Sequence, residues 1–479
     1  MKKFLLINIP STENAYNSFE DFAAIPLPVG LITIAAVLET LGYEVKIIDG
    51  DAERLNFEET LSWVIKEAPD YVGSTTMTAT MDITGKFYAK LKKELSKVKI
   101  IVGGPHVSAV PEQTLREFAA IDIVVVGEGE ETIAELMPIL ASGGELVAVK
   151  GLVFRENSRI IKTGNRAPIR DLGTTPIPAF HLLKFDLYRS YGWNGWLNGV
   201  RSPIGVVFTS RGCIGKCNFC GARCVFGQGM RFFPIDKIKE EIDLLVNKYN
   251  IRILYFQDDT FTVNRKMVKD ICDYLITKGY NRKLEIMVSA RVDTMHEPTL
   301  KIMRQAGIRW ICFGVESGDQ NILDRMDKGT TLKQIRQAFE LVNKLGFCVV
   351  GNYMIGSLDE TRETAMETID LACKLKQDYA SFSIAIPFPG TKLYQYCLDN
   401  SIKLPAWNEF GNVNTPPIPL NNSLDAESLM QLRLIAVNRF FKRPSYILSL
   451  LRKFNARVII RDFIKMYFAI KKERKAGRF

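Results

Sequence analysis

The sequence predicts an α/β protein of two units in tandem: a doubly wound parallel sheet, then an open six-fold βα barrel, followed by a helical carboxyl-terminal region. Three observations carry this. Apolar runs alternate with helical patterns over residues 1–145 and again over 200–400. Glycines and polar residues stand where those runs end. A loop with three closely spaced cysteines follows the first run of the second series. At 479 residues the chain exceeds one ordinary core, and 47% hydrophobic with 24% charged residues is the composition of a globular protein.

In the first unit, KKFLLINI, EVKIIDG, YVGSTTM, VKIIVGG and DIVVVGEGE read as buried parallel strands. Helical patterns fall between them, at Ile32–Leu41 and Gly85–Ser96 among others. Such open sheets bind ligands beyond the carboxyl ends of their strands. Gly50, Gly73, Gly103, Gly104, Gly127 and Gly129 stand at those ends. Residues 146–199 read as a connector, with a hairpin turning at Glu156-Asn157-Ser158 and a Pro-containing linker in which His181 is a packing residue.

The barrel strands are expected at Gly205–Thr209, Arg252–Gln257, Leu284–Ser289, Trp310–Val315, Val349–Ile355 and Ser381–Ile386. Barrels place their chemistry at the carboxyl ends of strands. The first is followed there by Cys213, Cys217 and Cys220, a CxxxCxxC run. Three thiolates this close can hold three irons of a four-iron, four-sulfur cubane and leave the fourth iron open. A small molecule can chelate that iron through an amine and a carboxylate. Structural zinc wants four ligands, usually as two pairs, and no second pair lies nearby. None of the nine cysteines occurs in the first 212 residues, which excludes a disulfide framework and fits a reducing, cytoplasmic compartment. Cys224 is a single extra thiol and cannot hold a second cluster, while Cys272, Cys312, Cys348 and Cys373 read as small core residues. The start MKKFLLINIP reaches Pro10 too soon for a signal peptide, and no run of about 18 apolar residues predicts a spanning helix.

The cysteine spacing, with Phe219 before the last thiol, resembles the hallmark of the radical S-adenosylmethionine (radical SAM) superfamily. The resemblance implies a 4Fe-4S cluster on Cys213, Cys217 and Cys220. It implies SAM contacts at Asp258 and Asp259, at Ser289 and Arg291, and at Glu316 and Ser317, with 387–391 bordering the adenine. Arg291 can take a carboxylate in a two-pronged contact. The first unit is similar to the flavodoxin-like cobalamin-binding domain that precedes many radical SAM barrels. PLPVG at Pro26–Gly30, the Ser74-Thr75-Thr76 run, the Gly103-Gly104 pair and GEGEET at Gly127–Thr132 carry that likeness. It implies cobalamin contacts at Ser74, Thr76, Gly103, Gly104 and Glu128. The DxHxxG motif that supplies a cobalt ligand has no counterpart, the first histidine being His106.

The implied activity is reductive cleavage of SAM to a 5′-deoxyadenosyl radical for chemistry at an unactivated carbon, with cobalamin-dependent methyl transfer as the leading outcome. An oxidative cyclase or ring-modifying enzyme is the alternative, and a non-catalytic cobalamin or redox-sensing module is the alternative of another class. A methylthiotransferase would carry a second cysteine trio in its amino-terminal domain, which this chain lacks. No catalytic side chain is assigned. The implied partners are a small-molecule or lipid substrate and a low-potential electron donor such as flavodoxin or ferredoxin.

The final stretch, 401–479, is expected to be helical, and from Lys442 onward it holds twelve Lys or Arg against two acidic residues, the whole net charge of +10. Ile447, Leu450, Leu451, Phe454 and Val458 recur at helical spacing, with Arg452, Lys453, Arg457 and Arg461 between them. A basic amphipathic helix can lie on an anionic surface, giving peripheral contact at the inner membrane face. The plainer alternative is a tail packed on the barrel. No nucleic-acid reader fold is visible, so nucleic acid is not an expected partner.

Overall fold

The structure, a computed structural model, describes residues 2–11, 25–188, 203–411 and 415–454. The first sheet contains β1 (Lys3–Asn8), β2 (Glu44–Asp49), β3 (Tyr71–Thr75), β4 (Lys99–Gly103) and β5 (Ile123–Val125) in parallel, in the order β2-β1-β3-β4-β5. That is the flavodoxin-like order, whose ligands bind beyond the strands' carboxyl ends. Phe4, Leu6, Tyr71 and Ile101 pack on one face, against Leu31, Ala35 and Leu136. Leu5, Ile7, Val72, Ile100 and Val102 pack on the other, against Phe87, Tyr88 and Leu91. Helices cover both faces, which is why the strands read as continuous apolar runs and not as alternating ones.

Two details differ from expectation. The hairpin of β6 (Leu152–Glu156) and β7 (Arg159–Lys162) is not free-standing but extends this sheet, β6 pairing antiparallel with β5. Its turn falls at Asn157 and Ser158, both at positive φ. The helix expected from Gly85 spans Met81–Glu94. Gly85 lies inside it because a Cβ there would come within 2.1 Å of the Phe118 ring.

The second unit is a parallel sheet of β8 (Ile204–Val207), β11 (Ile253–Phe256), β12 (Glu285–Ala290), β13 (Ile308–Glu316), β14 (Cys348–Ile355) and β15 (Tyr379–Ile384), paired in chain order. β8 and β15 each have a single sheet partner, so the sheet is open between them. The ribbon of β9 (Ser210–Arg211) and β10 (Arg231–Phe232) closes the base of the cysteine loop. Alternation along the strands turns Val288, Phe313 and Tyr353 into the core. The opposite face carries half-buried Tyr255, Ser289, Cys312 and Asn352. Tyr255 and Ser289 share a hydroxyl bond of 2.9 Å, and Asn352 donates to the Cys312 sulfur at 3.1 Å.

The helix Ala426–Phe441 packs on β15 and on the helix Arg362–Lys374. The next helix, Pro444–Lys453, is fastened to the barrel wall. Tyr446 donates to the Asp378 carbonyl at 3.0 Å, Lys453 pairs with the Asp378 carboxylate at 2.7 Å, and Phe454 stacks on Trp310 at 5.8 Å. Leu450 and Phe454 of the expected amphipathic stripe are therefore buried, whereas Ile447 and Leu451 face solvent. Arg457, Val458 and Arg461 lie outside the described residues. No described helix is long and apolar enough to cross a membrane.

Candidate active site

The cysteine loop is shaped by glycines. Gly212 sits at φ +87, and a Cβ there would fall 2.2 Å from the Gly229 carbonyl oxygen, so the loop's base closes only around glycine. Gly215 N–H donates to the Cys213 sulfur at 3.3 Å. A Cβ on Gly215 would lie 3.5 Å and 3.6 Å from the sulfurs of Cys213 and Cys217, and 2.9 Å from Arg291 Nη1. Thr260 Oγ1 also reaches the Cys213 sulfur, at 3.5 Å. Burial pushes the Cys217 and Cys220 thiols up, and at Cys217 the cations Lys328 and Arg291 pull the other way. The net shift at both is upward, and it is the thiolate form that ligates iron. Among the described residues no group of three His, Cys, Asp or Glu side chains is arranged to hold a single metal ion. Cys224 makes other contacts: its sulfur lies 3.9 Å from the Pro389 carbonyl and packs on Gly390.

Around this loop the structure gathers Asp259, Arg291, Glu316 and Lys328. Asp259 follows β11 and bears on Cys220. Arg291, after β12, is buried and held by Asp293 in a two-pronged pair of 3.0 and 2.9 Å and by the Lys328 carbonyl at 2.9 Å. Its fork is thus already engaged, and Nη1 is the nitrogen turned toward Gly215. Glu316 ends β13 at φ +68, a strained conformation for a residue with a side chain, at a register shift against β14. Lys328 Nζ binds its carboxylate at 2.9 Å. Burial would lower the Lys328 ammonium, but Glu316 and then Cys217 outweigh it and the net shift is upward. Neither Lys328 nor Asp293 was singled out from the sequence. The Arg-x-Asp spacing could have found Asp293; a lone lysine twelve residues past Glu316 carries no signal.

Other expected contacts are turned elsewhere. Asp258 is buried, and its carboxylate accepts from Thr209 N–H at 3.1 Å, Thr209 Oγ1 at 2.8 Å and Ser210 Oγ. It locks the end of β8 mainly through Oδ1, with Oδ2 sharing the Thr209 N–H at 3.2 Å. Burial pushes it up to about 6, with Ser210 and Thr209 opposing. Ser317 is fully buried against Thr368, 3.2 Å away, and accepts from Asp319 N–H at 3.2 Å, so its hydroxyl is engaged within the protein. Ser289 stays in the barrel, on Tyr255.

In the first unit, Thr76 clamps two strand ends: its N–H and Oγ1 donate to the Gly103 carbonyl at 2.8 and 2.9 Å. Gly104, at φ +105, would bring a Cβ within 2.6 Å of Thr75 Oγ1 and 2.7 Å of Thr76 N. Gly104 therefore packs tightly on the end of β3, whereas a Cβ on Gly103 would meet only the Val125 carbonyl, 3.9 Å away. The backbone is open at the end of β4, where a bulky nucleotide tail can approach it. Ser74 departs from expectation, since it points into the sheet's buried face toward Tyr88. Glu128 departs further. It accepts from Ile169 N–H at 2.8 Å and from Arg211 and Arg231 of the second unit at 2.7 and 2.6 Å. His106 is buried, 3.3 Å from Thr78 Oγ1 and edge-on to Trp407, and burial lowers its pKa to about 4. His181, expected as a packing residue, is instead half exposed, with Nε2 2.8 Å from the Glu39 carboxylate.

Comparison with known proteins agrees with this layout. Residues 20–137 match the B12-binding domain family and residues 207–372 the radical SAM superfamily. An uncharacterized methyltransferase of Pyrococcus horikoshii is 35% identical over 469 residues, 97% of this chain and 98% of that protein. The anaerobic magnesium-protoporphyrin IX monomethyl ester cyclase of Cereibacter sphaeroides is 26% identical, over 78% of this chain and 60% of that one. In fold, the chain is similar to the radical SAM methyltransferase TsrM of Kitasatospora setae, solved with cobalamin and a [4Fe-4S] cluster: TM-score 0.65, 17% identity, 83% of this chain and 76% of that one. The chain belongs to the radical SAM superfamily, among the members that carry an amino-terminal B12-binding domain. It is an enzyme of radical SAM chemistry whose cofactors are a 4Fe-4S cluster, SAM and cobalamin.

Proposed function

We propose that the protein is a cobalamin-dependent radical SAM methyltransferase acting on an unactivated carbon of a small or membrane-partitioned molecule. The observation that carries this is the cysteine loop at the carboxyl end of β8, facing Arg291 and the Glu316–Lys328 pair, in a chain whose first sheet has open backbone at Gly103, the end of β4. When bound, the cluster and SAM supply a 5′-deoxyadenosyl radical, and cobalamin supplies a methyl group. The chain's part is to bind and orient. Cys213, Cys217 and Cys220 hold the cluster. Asp259 and Arg291 Nη1 would meet SAM beside the cluster, Glu316, held in place by Lys328, would take its nucleoside, and Thr76, Gly103 and Gly104 would receive the cobalamin tail. Tyr255, Ser289, Cys312 and Asn352 give the barrel face a polar lining for orienting substrate.

Product analysis of the anaerobically purified, cobalamin-loaded protein tests this reading. Methyl transfer uses one SAM as methyl donor and one as radical source, so S-adenosylhomocysteine and 5′-deoxyadenosine should both accumulate. 5′-Deoxyadenosine alone would favour the ring-modifying chemistry of the cyclase relatives.

A low-potential donor such as flavodoxin or ferredoxin supplies the electron. The membrane-partitioned substrate is favoured by one observation. Met430, Leu434 and Val437 on one terminal helix, and Ile447, Leu448 and Leu451 on the next, are exposed beside the most basic stretch of the chain. Exposed apolar residues flanked by Lys and Arg suit an anionic lipid surface. Full-length protein should sediment with phosphatidylglycerol vesicles at low salt, and Leu434→Glu with Leu448→Glu should release it. Failure of wild type to sediment would remove the lipid surface.

A further inference from the structure

Arg211 and Arg231 are direct cross-strand partners in the two-residue ribbon that closes the cysteine loop. Like charges directly opposite each other push a ribbon apart. Here both side chains are largely buried, so solvent screens them little. What holds them is a carboxylate from the other unit. Glu128 Oε1 takes Arg211 Nη1 at 2.7 Å and Glu128 Oε2 takes Arg231 Nη1 at 2.6 Å, so one carboxylate sits between the two cations. Glu130 takes the second prong of Arg211. Two arginines and two glutamates balance.

We infer that Glu128 and Glu130 are positioning residues through which the amino-terminal domain sets the geometry of the iron–sulfur loop. The ribbon leads straight into the ligands, because Arg211 is followed by Gly212 and Cys213. Glu128 sits on the loop after β5 and Glu130 opens the helix Glu130–Ser142 that follows it; in that loop Gly127 N–H donates to Ser108 Oγ at 2.9 Å. Ser108 belongs to the short helix that opens at Gly104, so one loop touches both the sheet's ligand-binding end and the base of the cysteine loop. The Gly-Glu-Gly-Glu run thus joins the domains, and the ribbon closes fully only when they are docked.

This rests on Cys213, Cys217 and Cys220 holding the cluster, and the experiment separates the two claims. Iron content and the paramagnetic resonance spectrum of the reduced cluster, with and without SAM, are measured on full-length protein. Glu128→Gln leaves two facing arginines without their shared anion. It should lose at least half of the iron or shift the spectrum, even where far-ultraviolet dichroism is unchanged. Adding Arg231→Gln removes the repulsion, and the double variant should regain most of the iron and the wild-type spectrum. A generally structural role predicts instead that the second substitution adds damage. Full iron with an unchanged spectrum in Glu128→Gln, or a double variant no better than the single, would overturn the inference. Iron retained in the triple Cys213, Cys217, Cys220 to Ala variant would overturn the ligand assignment instead.

Discussion

Arg291 is the residue whose chemistry changes most once its neighbours are known. Read alone, it is a free fork for a carboxylate. In place it is bound to Asp293 on two nitrogens, with one turned toward Gly215 and the cysteine sulfurs. A pre-bound guanidinium loses little freedom when it meets a ligand, which favours a fixed point of charge. Arg291→Ala should weaken SAM binding by about 1.5–3 kcal/mol, the range for a lost charge-assisted bond, with iron content unchanged. Equilibrium binding to the reconstituted protein reads this out, and unaltered affinity would remove Arg291 from the site. Cys224→Ala should keep iron near wild type, since the Cys224 sulfur packs on the Pro389–Gly390 turn.

His106 makes a pH-dependent contribution. It is buried between Thr78 and Trp407, with Glu117 the charged group that opposes its neutral form. Its folded pKa, about 4, lies below the unfolded value of 6.5. The folded state therefore binds the proton less readily than the unfolded one. The stabilisation is fully present above the unfolded pKa and is lost as pH falls toward the folded one. Between about pH 7.5 and 5.5 this one group should cost the protein about 1 kcal/mol. His106→Phe, which keeps a ring beside Trp407, should flatten that part of the melting-temperature profile. An equally steep profile in the variant would assign the acid sensitivity to other groups.

Elements were legible where burial alone dictates them. All five parallel strands of the first unit follow from Val- and Ile-rich runs that helices cover on both faces, and all six of the second from runs whose outer face is core and whose inner face mixes in polar residues. Strand ends were less legible: Asp258 and Ser317 sit at the right positions, but their oxygens are spent on Thr209, Ser210 and Thr368. Which way a polar side chain turns depends on partners 48 to 51 residues away, and local sequence does not encode that. The terminal helix shows the same limit. Its stripe reads as one amphipathic face, yet Leu450 and Phe454 are buried while Ile447 and Leu451 are exposed. Because Phe454 stacks on Trp310 and Tyr446 holds the Asp378 carbonyl, truncation after Phe441 should lower the melting temperature or solubility. Unchanged melting would mean that this helix contributes little to the barrel.

At the scale of the whole molecule, two cofactor-binding units share one seam, and the chain's histidines bear on how cobalamin sits in it. There are three in all. His106 is enclosed by Thr78 and Trp407, His181 pairs with Glu39, and His296 lies against Thr299 at 3.0 Å. None is offered at the open end of β4, at Gly103. To ligate cobalt, His106 would have to leave its burial beside Trp407 and separate the carboxyl-terminal segment from the first domain. Trp407 Nε1 also binds Glu117 and Asn408 N–H binds Asp82 at 3.0 Å, so that movement would break further interdomain bonds. Cobalamin bound in the cob(II) state should therefore give a paramagnetic resonance spectrum without nitrogen splitting from a protein imidazole, and His106→Phe should leave that spectrum unchanged. Nitrogen splitting that disappears in the His106 variant would show that the seam opens on binding. Splitting that persists in it would point to His181 or His296.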